Sequence, residues 1–165
     1  MKIFELTIPN GKGLTNIELG MYAKKLGIKY FRGVYMRDTL PAKVHKIECG
    51  IVNLNTSHQS GSHWVCYYKN DKKRIYFDSF GQITPLEIQR YLKTKKEFDS
   101  RQNVIQRNTD IIQEINSHIC GHLCLFVLRS LTCEQHSFQD TLNNGYTQID
   151  WETTPSEQRV CATLS

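Results

Sequence analysis

The sequence contains no long hydrophobic run. No apolar stretch approaches the ~20 residues that a membrane-spanning helix requires, so we expect no membrane partner. The first residues, MKIFELTIPNG, lack the hydrophobic core of a signal peptide, which argues against secretion and predicts a protein that is made and kept inside a cell. Internal repeats, low-complexity segments and linkers are also missing, so residues 1–165 are expected to form a single domain.

The composition does not indicate disorder. A hydrophobic content of 39% in 165 residues is sufficient for one globular core. Six cysteines inside a cell are expected to stay free thiols. The formal net charge of +5 is compatible with non-specific contacts to DNA phosphates, although basic clusters are most often solvated loops. The basic clusters are Lys69, Lys72, Lys73 and Arg74, followed by Lys93, Lys95 and Lys96.

Local patterns predict an α+β fold in which helices flank a central mixed or antiparallel sheet. Thr15 and Glu18 form a capping-box signal, and Gly27 suits the end of the helix that follows. Pro85 suits the first turn of a second helix. The expected helices cover about 16–26, 85–92 and the stretch from residue 120, and the expected strands cover 49–55, 63–69, 74–78 and 103–108.

The segment CGHLCLFVLRSL, residues 120–131, predicts a buried helix because it is apolar on all sides. Cys120 at its first turn would meet the positive end of the helix dipole and unpaired backbone N–H groups. Both features favour a thiolate, which is the nucleophilic form of cysteine. Gly121 would leave room for a substrate backbone to approach closely.

The segments HWVCYYK (63–69) and RIYFD (74–78) predict two strands joined by a turn around Asn70. If these strands are antiparallel neighbours, their outer ends lie side by side and bring His63 close to Asp78. The carboxylate would then orient the imidazole and stabilise its charged form. This pairing predicts a histidine that can activate a nearby thiol.

Gln113 lies seven positions before Cys120 in a polar loop. Its side-chain amide and the Cys120 backbone N–H could both donate hydrogen bonds to a developing oxyanion. One such donor is typically worth about 3–4 kcal/mol of activation barrier. The Gln113 amide is therefore a candidate oxyanion donor.

Each candidate residue also has an ordinary structural explanation. A lone cysteine in a core helix is usually an inert buried thiol, and an aspartate after a strand often forms a turn. A zinc site is a further alternative, since two histidines and two cysteines fall within residues 118–124. On a helix, however, alternate residues point to different sides, and structural zinc usually needs a second ligand pair, for which only Cys133 and His136 could be proposed. We therefore predict no metal site.

Taken together, the segments GSHW (61–64), FDSFG (77–81) and QEINSHICG (113–121) resemble the adenain-like maturation proteases of adenoviruses, virophages and Polinton-type elements. YFRGVYMRD (30–38) and HKIECGIVN (45–53) are similar to the stretches that precede the catalytic histidine in that family. The same clan includes the ubiquitin-like-protein proteases, in which the glutamine is usually one residue nearer the cysteine. The spacing in this chain favours the viral branch.

The resemblance implies a cysteine protease fold and a role for each candidate residue. In the viral family the acid is commonly a glutamate, so Asp78 departs from that pattern and is similar to the cellular relatives. The implied roles are nucleophile for Cys120, general base for His63, orienting acid for Asp78, oxyanion donor for Gln113, and substrate contacts for Trp64 and Gly121.

The implied function is a cysteine endopeptidase that cleaves capsid and core precursor proteins after small residues, at Gly-Gly or Gly-x sites, during virion maturation. The protein is expected to be a monomer that is packaged in the virion and needs no cofactor for its chemistry, with DNA as an activator. Adenain is also activated by a disulfide-linked peptide, but RQNVIQRN (101–108) contains no cysteine, which argues against such a link here.

Two alternative functions stay open at the sequence level. A protease that removes ubiquitin-like modifiers would use the same groove, because those modifiers end in Gly-Gly. A catalytically inactive binding module is the second alternative, although no member of the quartet of Cys, His, Asp and Gln is replaced. The tail 133–165 carries no motif that we can assign.

Overall fold

The computed structural model describes residues 1–4, 6–93, 104–133 and 136–144, which contain both strands and helices. The strands are β1 (Lys2–Ile3), β2 (Leu6–Thr7), β3 (Phe31–Met36), β4 (Glu48–Asn53), β5 (Trp64–Lys69), β6 (Arg74–Phe77) and β7 (Ile105–Arg107). The helices are α1 (Asn16–Lys25), α2 (Leu86–Leu92), α3 (Cys120–Thr132) and α4 (Phe138–Asn144).

A mixed sheet forms the centre of the molecule, with the strand order β3-β4-β5-β6-β7. The inner pairs β4–β5 and β5–β6 are antiparallel, whereas β3 runs parallel to β4 and β7 runs parallel to β6. β1 and β2 form a separate antiparallel pair. This arrangement confirms the expected α+β class and the mixed sheet.

Helices cover both faces of this sheet. Successive side chains of a strand point to opposite faces, so the buried apolar residues of the strands form two separate clusters. One face packs against α1 and α3, and the other packs against α2. Every residue of α3 except Arg129 is buried, which confirms the expected buried helix. Within the described ranges, no helix combines the length and the apolar character needed to cross a membrane.

The predicted elements occur close to their expected bounds. The capping box at the start of α1 is present, since Thr15 Oγ1 accepts from the Glu18 N–H at 3.2 Å and a Glu18 carboxylate oxygen accepts from the Thr15 N–H at 2.8 Å. β1, β2, β3 and α4 were not predicted. β3 carries a register shift between Phe31 and Val34, where Gly33 has a φ of +145°, so its side chains do not alternate regularly.

Candidate active site

The hairpin of β5 and β6 brings His63 and Asp78 together. Cys66 lies opposite Phe77, so the residues just before β5 stand beside those just after β6. Asn70 closes the turn by accepting two backbone hydrogen bonds, each 2.8 Å long. The Nε2 atom of His63 lies 2.7 Å from the Oδ1 atom of Asp78. The predicted proximity of the imidazole and the carboxylate is therefore confirmed.

The Asp78 carboxylate is fully buried, with 0% of the residue exposed. Its Oδ1 atom also accepts from the Phe80 backbone N–H at 2.8 Å, while Oδ2 has no hydrogen-bond partner among the described residues. A buried carboxylate is stabilised by a positive partner. The charged form of His63 is thus the natural partner of this group.

The turn that follows Asp78 depends on Gly81, where φ is +64° and a Cβ atom would lie 2.4 Å from the Thr109 carbonyl oxygen. We expect Gly81→Ala to lower the free energy of unfolding by clearly more than the ~1–2 kcal/mol that left-handed backbone costs an alanine, because a backbone carbonyl must also move. Gly27 is the matched control, since its φ is +63° and no described atom lies within 4 Å of its Cβ position. Denaturant unfolding of Gly81→Ala and Gly27→Ala should differ, and equal losses would contradict this explanation.

The environment of His63 favours its protonated form. Burial alone would lower the pKa of His63, but the Asp78 carboxylate, which bonds the imidazole, and the Cys120 thiol raise it to about 9. The Phe80 ring packs against the imidazole, with the ring centroids 4.7 Å apart. An imidazolium beside a thiol favours the thiolate. Cys120, the first residue of α3, is 8% exposed.

Gln113 is held in one orientation by its neighbours. The Ser79 hydroxyl donates to Oε1 of Gln113 at 2.7 Å, and Nε2 of Gln113 donates to the Ser117 carbonyl oxygen at 2.7 Å. The backbone N–H of Gln113 also donates to the Ser79 carbonyl oxygen at 3.2 Å. A side-chain amide has two N–H donors, so one donor of Gln113 remains beyond its bond to Ser117.

A groove of about 790 Å³ contains His63, Gln113 and Cys120 in its wall. In the part of the chain that the structure describes, its lining includes no Asp, Glu, Lys or Arg side chain. Trp64 forms part of the wall, and its Nε1 atom donates to the Leu14 carbonyl oxygen at 2.8 Å. The groove therefore suits an uncharged stretch of ligand.

Gly121 has a packing role that was not expected. A Cβ atom at this position would lie 3.0 Å from Leu19 Cδ2 and 3.4 Å from Trp64 Cδ1, so the missing side chain faces the protein interior. Gly121 is buried and does not line the groove. The missing side chain leaves room for α1 and Trp64 to pack against α3, and the contact of Gly121 with a substrate stays a prediction.

The four potential zinc ligands of 118–124 do not converge. His122 is fully buried, and its Nε2 atom bonds the Pro9 carbonyl oxygen at 2.7 Å. Burial lowers the pKa of His122 to about 4, so it is neutral at physiological pH. Across the described ranges, no group of three His, Cys, Asp or Glu side chains is arranged to hold a metal ion. The described cysteines, Cys49, Cys66, Cys120, Cys124 and Cys133, are free thiols, and Cys161 lies outside the described residues.

The basic cluster at the hairpin is smaller than the sequence indicated. Lys69 is buried and donates to the His45 carbonyl oxygen at 3.2 Å, and Arg74 is buried and donates to the Leu92 carbonyl oxygen at 2.9 Å. Lys69 and Arg74 therefore link β5 and β6 to other segments of the chain. The expectation that they belong to a solvated cluster is wrong, because both are buried. Lys72 and Lys73 are exposed, Lys93 is half-buried, and Lys95 and Lys96 lie outside the described residues.

Two residues of the site escaped the sequence analysis. Ser79 holds Gln113, and Asn108 holds the backbone of Asp78 through both atoms of its amide. The position of Ser79 beside Asp78 was the signal for the first. Nothing local marked Asn108, which lies 30 positions from Asp78.

Comparison with known proteins gives two findings. The sequence profile described as adenovirus endoprotease matches residues 31–150, which is more than half of the chain. The fold is similar to that of a crystallised African swine fever virus protease, with a TM-score of 0.57, 16% identity, and coverage of 81% of this chain and 62% of the other. For the selenomethionine form of that protease, the TM-score is 0.52 and the identity is 16%, and the match covers 82% of this chain and 63% of the other.

This chain thus spans less than two thirds of the viral protease to which it is structurally similar. At 16% identity the likeness concerns the fold alone. No curated protein matches the sequence.

Proposed function

Because this chain belongs to the adenovirus endoprotease family, we propose that it is a cysteine endopeptidase with Cys120 as its nucleophile. The observation that carries the proposal is the imidazole of His63, which lies 2.7 Å from the Asp78 carboxylate and shares a groove wall with Cys120. A thiol, a base and an orienting acid in this order are what nucleophilic acyl transfer requires.

The reaction follows from these contacts. The Cys120 thiolate attacks the carbonyl carbon of the substrate, and the carbonyl oxygen becomes an oxyanion. Protonated His63 gives its proton to the leaving amine as the C–N bond breaks, which leaves a thioester. Neutral His63 then takes a proton from water, and the water oxygen attacks the thioester to release the acid and restore the thiolate. Asp78 keeps the imidazole oriented through both steps.

The oxyanion has two donors in this proposal. The backbone N–H of Cys120 is at the N-terminus of α3, where it has no acceptor within the helix. The second donor is Nε2 of Gln113, whose orientation Ser79 and Ser117 maintain. Removal of one such donor typically costs about 3–4 kcal/mol of transition-state stabilisation.

For the substrate, we propose viral capsid and core precursor proteins, cleaved after small residues at Gly-Gly or Gly-x sites. Cys120 is only 8% exposed, so a substrate backbone must come close to its sulfur, and glycine permits such an approach. Apart from the pair of His63 and Cys120, the described lining of the groove carries no Asp, Glu, Lys or Arg side chain, which supports an uncharged sequence beside the scissile bond. On this proposal the enzyme acts as a monomer inside the virion.

For activation, we propose non-specific binding to duplex DNA and no disulfide-linked peptide. The net charge of +5 and the exposed Lys72 and Lys73 support contact with phosphates. Residues 104–108, the described part of the stretch where the family has its linking cysteine, contain none. A stimulation by DNA should therefore decrease as salt is added.

One assay tests the proposed function. Purified protein is incubated with a Leu-x-Gly-Gly-x peptide and with a ubiquitin-like fusion, each with and without duplex DNA. We expect cleavage of the peptide after glycine, faster with DNA at low salt. A preference for the fusion would assign the protein to the modifier-removing branch. If neither is cleaved and Cys120 is no more reactive with iodoacetamide than a free cysteine, the proposal is refuted.

A further inference from the structure

A single side chain from the end of β7 holds the residue that bonds His63. The parallel pairing of β6 and β7 ends with Tyr76 opposite Arg107. One residue beyond the end of β7, the side-chain amide of Asn108 takes the place of the backbone in hydrogen bonding to the neighbouring segment. Its Oδ1 atom accepts from the Asp78 N–H at 3.1 Å, and its Nδ2 atom donates to the Asp78 carbonyl oxygen at 2.5 Å.

These two bonds fix Asp78 from both sides. Asn108 is itself 3% exposed, and its Nδ2 atom donates a further bond of 3.2 Å to the Asp110 carbonyl oxygen, so the amide cannot rotate freely. Asp78 carries its carboxylate on a short side chain. Any movement of its backbone is therefore transmitted to the 2.7 Å contact between Oδ1 and His63 Nε2.

We propose that Asn108 is a positioning residue of the active site, which sets the distance between the Asp78 carboxylate and the His63 imidazole by holding the backbone of Asp78. Its kinetic consequences rest on the proposed function. The positioning itself can be measured without a substrate, through the titration of His63.

The rest of the turn does not depend on Asn108. The Gly81 N–H donates to the Asp78 carbonyl oxygen at 2.8 Å, and the Ile112 N–H donates to the Ser79 carbonyl oxygen at 2.8 Å. Loss of the Asn108 amide therefore leaves the turn attached, while the buried N–H of Asp78 loses its acceptor. We expect a local displacement of Asp78 and not the loss of the fold.

The test is an NMR titration of the His63 imidazole in the wild type, Asn108→Ala and Asn70→Ala. The charged groups that face this imidazole are Asp78 and Cys120, which help to raise its pKa to about 9. In Asn108→Ala we expect the pKa of His63 to fall by about one unit or more, because its carboxylate partner moves away. Asn70→Ala removes two backbone hydrogen bonds of 2.8 Å from a turn distant from the groove, and it should leave the titration unchanged.

The kinetic readout separates positioning from stability. With a cleavable peptide, Asn108→Ala should lower kcat by about 10-fold to 100-fold, with little change in KM, as expected for a small misplacement of a reacting group. If the wild type cleaves no peptide but the titration shifts as expected, the proposed function fails and the positioning role stands. A folded Asn108→Ala with the wild-type pKa of His63 overturns the role.

A second variant keeps the test decisive if Asn108→Ala does not fold. Asn108→Ser retains a hydroxyl that can meet one of the two Asp78 backbone groups. We expect it to shift the pKa of His63 in the same direction by a smaller amount. A wild-type titration in folded Asn108→Ser would equally refute the proposal.

Discussion

Replacement of Cys120 by alanine is expected to abolish peptide-bond cleavage, with a loss of about 10⁴-fold or more in kcat, as removal of a nucleophile typically causes. Cys120 supplies a thiol that helps to raise the pKa of the His63 imidazole, and it begins the helix whose N-terminus stabilises a thiolate. The measurement is the cleavage rate of a Gly-Gly peptide. Unfolding midpoints of both proteins should be compared, because the variant must retain the fold for the loss to concern chemistry.

Cys124 offers a matched control on the same helix. It is fully buried one turn further along α3, and burial, with Cys66 nearby, raises the pKa of its thiol well above the usual range. Cys124→Ala should therefore keep its peptidase activity, and iodoacetamide should label Cys120 and not Cys124 in the wild type. If Cys120→Ala were active and Cys124→Ala were not, our assignment of the nucleophile would be wrong.

The second large effect concerns His63. His63→Ala should lose activity as completely as Cys120→Ala, because neither the thiolate nor the leaving amine would have its proton carrier. In the wild type, kcat/KM should fall as the pH rises through about 9, where His63 loses its proton. The activity falls and does not rise because the pKa of His63 lies above its ordinary value of 6.5, which means that the fold stabilises the charged imidazole. That stabilisation is lost as the pH rises through about 9.

The carboxylate partner of His63 is tested by an isosteric pair of variants. Asp78→Asn removes the charge and should leave residual activity, with the alkaline limb of the pH profile moved to lower pH. Asp71→Asn is the control, because Asp71 is exposed at the hairpin turn and pairs with Lys46 at 3.0 Å. The measurement is the pH profile of kcat/KM for both variants. An unmoved alkaline limb in Asp78→Asn would show that Asp78 does not set the pKa of His63.

The parts of the site that follow from local rules could be predicted from the sequence. Antiparallel strands joined by a short turn must place their outer ends together, and this rule alone brought His63 to Asp78. The capping box of Thr15 and Glu18 and the apolar helix from Cys120 are equally local patterns. Each depends on residues that are close in the chain or on one repeating face.

The features that could not be predicted depend on packing between distant segments. The packing of Gly121 against Leu19 depends on how α1 crosses α3. The burial of Lys69 and Arg74 depends on carbonyl groups supplied by other parts of the chain, which no charge count can reveal. Asn108 directly follows β7, and its sequence neighbours do not distinguish it from an ordinary loop residue. Its role depends on Asp78, which lies 30 positions away.

Asp78 and Ser79 are consecutive residues at the start of the turn that follows β6. One bonds the imidazole of His63 and the other bonds the amide of Gln113. Two adjacent residues therefore orient both the proposed base, His63, and the proposed oxyanion donor, Gln113. A shift of this segment would displace both contacts at once, so a substitution that moves Asp78 should also disturb the orientation of Gln113.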